Sequence, residues 1–568
     1  MSQTRQQFFA SIRVTTLWTM LSRVLGLVRD MVVAALLGLV TGGVADALVI
    51  AMSVPNLFRQ LFGEGALTAA FLPLMARRLE TNRAAAWRLA SVVFTWLAIG
   101  LSGLVLLIEA LFGAAWLIWG DDPSLTLLLW LTSITLPYMV LICLAAQINA
   151  VLNALGRFGI GAAMPAAMNL VLIAGALAAP WLAADPVTQA TIVAASVLLG
   201  GLVQLGALWP ALRSLGFRFE YQPGEHWGEI RTIAITMLPM VLGLAATQIN
   251  VLLDRLIAFG FSGPADDPGG IAWLGGIAYP MQQGATAAVY YGERLYQLPI
   301  GILGVAVATV VFPRLARHAA RGSNMQLRAD LTLGLRLVTF FALPASVGLF
   351  LLAEPLAKLL FQRGRFTPDD AARTARLIAI FGLGVWAYCA NPTLIRGFYA
   401  LGRHAAAVRI SLFSVGLNIV LNLALIWPMA EGGLALATAI SAAVQSIVLA
   451  VGLKRLGAGV MLRPLADTAA RSAAATVAMG VCCYGTLHWL RSTSSEGLQT
   501  TFLSWTSSIM TERVRERLLP NPEVLLLVSV PLFVSIAAYL GVAMLLRCSE
   551  LRLVWGPAGE RTGATSPR

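Results

Sequence analysis

The run Leu21-Ser22-Arg23-Val24-Leu25-Gly26-Leu27-Val28-Arg29-Asp30 places two arginines and an aspartate in the middle of an apolar segment extending from about residue 11 to 38. A segment of that length crosses the hydrocarbon of a bilayer. An arginine at mid-helix there costs roughly 2.5 to 3.5 kcal/mol on insertion scales, so two of them need a cavity or partners. In a regular helix Arg23 and Asp30 share a face, and Arg29 lies about 120° from Arg23. Gly26 between them is expected to bend the helix and let both arginines converge. The alternative is an Arg29–Asp30 pairing that locks neighbouring helices together.

Further apolar segments follow at 44–76, 87–119, 125–153, 160–182, 188–212, 231–260, 283–313, 332–353, 372–398, 406–428, 432–453, 466–490 and 522–547. With the first they make about fourteen expected transmembrane helices. The composition agrees: 58% of the 568 residues are hydrophobic and 12% charged, with a mean hydropathy of +0.78. A water-soluble domain would need more charge to cover its surface, so the chain reads as an all-α integral membrane protein. The polar N-terminal stretch lacks an apolar core followed by a cleavage site, so no cleavable signal is expected.

The net charge of +13 is almost wholly arginine, and it alternates from loop to loop. Arg77, Arg78 and Arg83, then Arg157, Arg213 and Arg218, Arg314 and Arg317, Arg403, and Lys454 with Arg455 fall on one side. The opposite loops hold Asp121, Asp122, Asp185, Asp266, Asp267 and Glu431. Cytoplasmic loops are the basic ones, so both termini are expected in the cytoplasm, with 260–283 and 491–521 outside. The loops 354–376 and 491–521 break the pattern with mixed charge. The five cysteines and four histidines show no metal-ligand spacing and read as buried small residues and scattered singles.

The chain also echoes itself. Ala154-Leu155-Gly156-Arg157 returns as Ala400-Leu401-Gly402-Arg403, and Phe71-Leu72-Pro73 as Phe312-Pro313. A shift of about 240 residues and six spans makes the repeats parallel. Two parallel six-helix bundles around a central cavity, plus two C-terminal helices, follow from it.

Two more segments carry charge at depth. Pro55-Asn56-Leu57-Phe58-Arg59-Gln60-Leu61-Phe62-Gly63-Glu64-Gly65 brings Arg59 near the level of Arg23 and Arg29, and its proline and glycines predict a kink or unwinding. Asp46, at the start of that segment, reads as a helix-start residue. Tyr290-Tyr291-Gly292-Glu293-Arg294-Leu295-Tyr296-Gln297 puts Arg294 inside a span of the second bundle. Cations facing a wet cavity suit an anionic substrate, and the guanidinium fork suits phosphate. No glycine-rich nucleotide loop is present, and no nucleophile has a base beside it.

These stretches, with Phe361-Gln362-Arg363-Gly364-Arg365-Phe366-Thr367, resemble the MurJ/MviN family of lipid II flippases, within the wider multidrug, oligosaccharidyl-lipid and polysaccharide exporter group. The resemblance covers nearly the whole chain. It implies an N-lobe at 1–215, a C-lobe at 216–456, a lipid-tail groove from the two helices of 457–550, and a cytoplasmic tail at 551–568. It implies alternating access in a bacterial cytoplasmic membrane, with lipid II moved from the inner to the outer leaflet. Arg23, Arg29, Arg59 and Arg294 match the family's cavity arginines, Asp30, Asn56 and Glu64 their polar companions, and Ser22, Glu293 and Gln297 stand beside them. Glu293 and Gln297 depart from the residues common in the family, and an extra stretch lengthens the loop between Phe261 and Gln283. Asp254, Asn418, Asn422 and Thr438 correspond to a sodium site of some members, though Asn422 stands where aspartate is expected. Hydrogen bonding between helices is the competing role for these asparagines. No cofactor is implied beyond sodium or membrane-potential coupling. The implied partners are lipid II, membrane lipids and cell-wall synthesis proteins, with no nucleic acid.

Three other classes of function compete. An exporter of another polyprenyl-linked saccharide would share the features above, whereas an exporter of cationic drugs would favour unpaired acids over an arginine excess. A membrane glycosyltransferase would carry a large outer loop rich in acids and histidines. A non-transporting cell-wall scaffold would have no use for arginines at mid-depth.

Overall fold

The computed structural model describes residues 2–63, 66–264, 270–271, 274–492 and 522–551. It is helical throughout, apart from a two-residue parallel strand pair, β1 (Ser262–Gly263) with β2 (Met281–Gln282), inside the lengthened loop. In the first half of the chain lie α1 (Ser2–Leu37), α2 (Val44–Phe58), a π-helical turn (Arg59–Gly63), α3 (Ala66–Thr81), α4 (Arg83–Trp119), α5 (Pro123–Thr135), α6 (Tyr138–Ala154), α7 (Phe158–Leu182), α8 (Pro186–Ser214) and α9 (Pro223–Gly260). There follow α10 (Ala285–Pro299), a second π-helical turn (Ile300–Gly304), α11 (Val305–Ala320), α12 (Asn324–Leu351), α13 (Ala353–Phe361), α14 (Pro368–Leu383), α15 (Val385–Ala400), α16 (His404–Met429), α17 (Glu431–Arg455), α18 (Leu462–Ser492) and α19 (Pro522–Leu545).

Local chemistry sets several of the boundaries. Asp122 caps α5 and Asp185 caps α8, each followed at once by a proline that is preorganised for the first turn. Thr367 and Asp370 form a reciprocal capping box on α14, again with proline next in line. The repeated Ala-Leu-Gly-Arg stretches are the same turn built twice. Gly156 and Gly402 sit at φ 74° and 70°, and Arg157 and Arg403 donate their N–H back to Leu152 and Phe398 at 2.8 and 2.9 Å. This glycine-dependent C-cap returns one helix antiparallel to the next.

Among the described residues, ten helices or helix pairs are long and apolar enough to cross a membrane, and the pair α14–α15, bent by 44°, makes an eleventh if it is one span. The segments expected at 11–38, 44–76 and 231–260 are helical along α1, α2–α3 and α9. Large side chains such as Leu106, Leu117, Trp181 and Phe533 stay exposed on the helix surfaces, which is where lipid replaces water as solvent.

The chain divides into two compact units, Met1–Ala287 and Ala288–Arg568. In the first, α1 lies along α7, α7 along α8, α6 against α8, and α9 against α2 and α3. Its core joins Phe71, Met75, Leu89, Val151 and Leu212, with Phe217 edge-on to Trp87 and Trp209. In the second, α16 pairs with α17, α18 with α19, and α12 with α18. Phe340, Met479, Tyr539 and Ala543 pack together there.

Candidate functional site

α1 runs as helix straight through Gly26, and its two mid-helix arginines, Arg23 and Arg29, meet different surroundings. Arg29 donates from Nε and Nη2 to Asp30 Oδ1 at 3.0 and 2.7 Å, and from Nη1 to Asn169 Oδ1 on α7 at 3.1 Å. Asn169 in turn donates to the Ser22 carbonyl at 3.0 Å. A cation, a buried carboxylate and an amide therefore clasp α1 to α7, which is the pairing alternative raised above. Asp30 is 4% exposed. A charge so deep persists only with such partners.

Arg23 differs. It is exposed, and it has no hydrogen-bond or ion-pair partner among the described residues. It borders a cavity of about 320 Å³ between α1, α6 and α7, with Thr15, Thr19 and Ser22 on its own helix and Asn149 and Asn153 on α6. The two α1 arginines thus do not converge on one partner. The expected bend at Gly26 is not what separates their roles; Asn169 is, by taking Arg29 and leaving Arg23.

Arg59 stands on the break that Pro55 and the glycines predicted. α2 ends at Phe58 and Arg59 opens the π-helical turn. An extra residue in a turn displaces the backbone ladder and reorients side chains, and such bulges recur at functional sites. Arg59 Nε donates to Asn56 Oδ1 at 2.9 Å. Glu64 lies outside the described residues. Asp46 is a helix cap: its carboxylate accepts from the backbone of Gly284 and Ala287 at 2.7 and 2.8 Å, at the start of α10.

In the second unit, Arg294 lies over the Tyr290 ring, 4.2 Å from its centroid, donates to the Tyr290 hydroxyl, and reaches Gln297 Oε1 at 3.2 Å. The stacking and the fork fix the guanidinium in one orientation. Glu293 is buried. Asn422 donates to Asn418 Oδ1 at 3.1 Å, and Asn418 to Thr438 Oγ1 at 3.4 Å, so three of the four residues matched to a sodium site form one hydrogen-bonded chain. The fourth, Asp254 of the first unit, accepts from Asn250 at 3.3 Å. Among the described residues no group of three or more His, Cys, Asp or Glu side chains is placed to hold a metal.

Sequence reasoning missed several participants. Arg255 is 8% exposed and donates to Ser53 on α2; its neighbour Asp254 drew the attention instead. Thr15 and Thr19, and Asn149 and Asn153, are each four apart and so share a helix face, a signal that was present but unremarkable without knowing that α6 and α1 adjoin one cavity.

A family profile described as "Lipid II flippase MurJ" matches residues 33–503. The chain belongs to the MurJ family. That family consists of flippases, which are transporters and not enzymes. Probable lipid II flippases of this family from Rhizobium meliloti and Vibrio cholerae are each 32% identical, over 85% and 87% of this chain and 86% and 90% of their own. Among solved structures, a MurJ flippase in an inward closed conformation superposes with a TM-score of 0.69 over 95% of this chain and 99% of that one, at 20% identity. An inward-facing multidrug transporter of the MATE family reaches 0.62 over 79% and 98%, at 12% identity. At such identities both likenesses speak for the fold alone, an all-helical multi-pass membrane fold.

Proposed function

We propose that this chain translocates lipid II, the polyprenyl-diphosphate-linked peptidoglycan precursor, from the inner to the outer leaflet of a bacterial cytoplasmic membrane by alternating access. Both termini would be cytoplasmic. The observation that carries the reading is Arg23: a cation within the first apolar helix, given no counter-charge among the described residues, at the border of a cavity that also holds hydroxyl and amide side chains. An arginine held so is stabilised by what comes to it, and a diphosphate supplies the oxygens its fork prefers.

In this reading Arg23 and Arg59 are ligands of the diphosphate and Arg294 is a further head-group ligand from the second unit. Asp30 and Asn56 hold two of the cations in orientation, and Glu64, Ser22, Glu293 and Gln297 supply polar companions. Arg29, engaged by Asp30 and Asn169, adds charge from a fixed position. The lobes are proposed at 1–215 and 216–456, with α18 and α19 receiving the polyprenyl tail. Coupling to the membrane potential or to sodium is proposed, with Asp254, Asn418, Asn422 and Thr438 as the residues that would hold the ion. A ligand can shift an equilibrium between two cavity states only by its differential affinity for them, so the charge of the head group is the part able to drive the change.

The test is translocation of fluorescent lipid II in vesicles reconstituted with the purified chain. The wild type should move it. Arg23→Ala should lose about a hundredfold or more in rate, as expected for removing a charged hydrogen-bonding partner, while still inserting and unfolding at the wild-type temperature. A wild type that leaves lipid II in place would overturn the assignment, and an Arg23→Ala protein at the full rate would overturn the role of Arg23.

A further inference from the structure

Glu109 is out of place in its helix. From Leu89 to Trp119 α4 carries no other ionisable side chain, and α5 beside it carries none from Pro123 to Thr135. Trp116 and Trp119 stand exposed near the end of α4, where tryptophan marks the boundary between hydrocarbon and water. Glu109 lies seven residues inside Trp116, about 10 Å at the helical rise, which puts its carboxyl within the hydrocarbon layer. An acid at such depth normally faces a bundle interior or a wet cavity and pairs with another polar group there. Glu109 is only half-buried. Its Oε2 accepts from Ser133 Oγ on α5 at 2.8 Å, and no basic side chain pairs with it among the described residues.

The surface next to it faces lipid. Residues three, four and seven apart lie along one side of a helix. Leu106, three before Glu109, is 69% exposed. Gly113, four after it, is exposed, with open space where a Cβ would stand. Ser102 and Trp116, seven to either side, are exposed as well. None of these residues lines the cavity beside Arg23.

An ionised carboxyl accepts about four hydrogen bonds, and Ser133 supplies one. At that depth lipid brings acyl chains and no donor, so further donors arrive only on another segment that crosses the membrane. A second copy of this chain docked by the same face would set one Glu109 against the other, since a two-fold interface opposes like with like. Charge complementarity therefore selects a helix of a different protein, with an arginine or lysine in its span.

We propose that the side of α4 formed by Ser102, Leu106, Glu109, Gly113 and Trp116 is a docking surface for one transmembrane helix of a partner protein, which places a basic side chain on Glu109. Ser133 holds the carboxyl at the edge of the surface, and Gly113 lets the partner backbone come close. The charged hydrogen bond is the specific element, and the apolar residues around it exclude alternatives of the wrong polarity.

Energy transfer in phosphatidylcholine vesicles tests it, between the full chain carrying a donor dye at its N-terminus and synthetic membrane-spanning peptides carrying the acceptor. The peptides are leucine-alanine helices, identical except at one position about 10 Å inside one end, which holds arginine, leucine or glutamate. The wild type should associate with the arginine peptide about tenfold more tightly than with the leucine peptide, the size expected for an interhelical polar contact in lipid. Glu109→Leu should reduce the arginine peptide to the level of the leucine peptide. Glu109→Lys should reverse the preference toward the glutamate peptide; should it fail to accumulate, Glu109→Leu alone decides. Equal association of the arginine and leucine peptides with the wild type, or a preference that survives Glu109→Leu, would overturn the surface. Energy transfer between separately labelled copies of the chain that disappears in Glu109→Leu would overturn the choice of partner and assign the surface to self-association.

Discussion

Among the described residues, each compact unit contains one span broken by a five-residue π-helical turn, Arg59–Gly63 in the first and Ile300–Gly304 in the second. The two lie about 240 residues apart, the interval of the internal repeat. Their partners correspond as well: the first packs on α6 and the second on α15, the helices that end in the two Ala-Leu-Gly-Arg turns. The load differs. The first turn opens with Arg59, steadied by Asn56. The second is apolar, Ile300-Gly301-Ile302-Leu303-Gly304, and presses its last glycine onto the backbone of Cys389. The same break in the ladder thus serves to present a charge in one place and to bring two backbones together in the other, which separates the geometry of a repeat from its chemistry.

The largest effect that could break this comparison is on transport. Arg59→Ala should cut lipid II translocation by about a hundredfold or more with the protein still present in the membrane. Arg59→Lys should recover part of it, since an ammonium lacks the planar fork. Ile300→Ala should stay within about threefold of the wild type, because no charge-assisted bond is lost. Equal damage from Arg59→Ala and Ile300→Ala in the vesicle assay would show that the break itself, and not the charge on it, matters.

The converse holds for stability, with a moderate effect. A Cβ at Gly304 would come within 2.9 Å of Cys389 Cα, and backbone cannot yield as a flexible side chain does. Gly304→Ala should destabilise by about 1–3 kcal/mol, seen as a lower thermal midpoint in detergent. An unchanged midpoint would mean that α15 moves aside freely.

The smallest effect compares two loop carboxylates. The Thr188 N–H bonded to Asp185 at 2.7 Å holds that carboxyl below its usual range in the first unit. In the second, Glu354 is lowered by the hydrogen bond from Lys358, against some burial and with help from Arg491. A lowered folded pKa gives stability that is complete above the unfolded carboxylate range and is lost as pH falls through the folded value. The midpoint gap between wild type and Asp185→Asn, or Glu354→Gln, should therefore be constant at neutral pH and close below about pH 4. For Glu354 the contribution is under about 1 kcal/mol, since both its partners are partly solvated. A gap that widens in acid would contradict the direction of both shifts.

Much of this was legible beforehand, for definable reasons. Apolar runs, Asp-Pro and Thr-Pro helix starts and the twice-used glycine turn are local signals, and the helices begin and end by them. Arg59 with Asn56 was legible because three residues along a helix are neighbours whatever surrounds them. The division between Arg29 and Arg23 was not, since it depends on Asn169, 140 positions away. Arg255 escaped notice because its partner Ser53 is separated by 202 positions. Pattern within one helix can nominate a charge for a site, but only the neighbouring helix decides whether that charge is already taken.

Arg336 on α12 shows how such distance acts in time. Its guanidinium bonds Thr468 on α18 at 2.9 Å, and Glu550, just past α19, at 2.9 Å from Nε and 2.7 Å from Nη2. Glu550 is 214 residues further along the chain. At roughly 5–20 residues per second of synthesis, α12 waits on the order of ten to forty seconds for the carboxylate that neutralises it. Until then this contact stays open, so the packing of α12 against α18 and α19 is completed only once the chain just past α19 has been made.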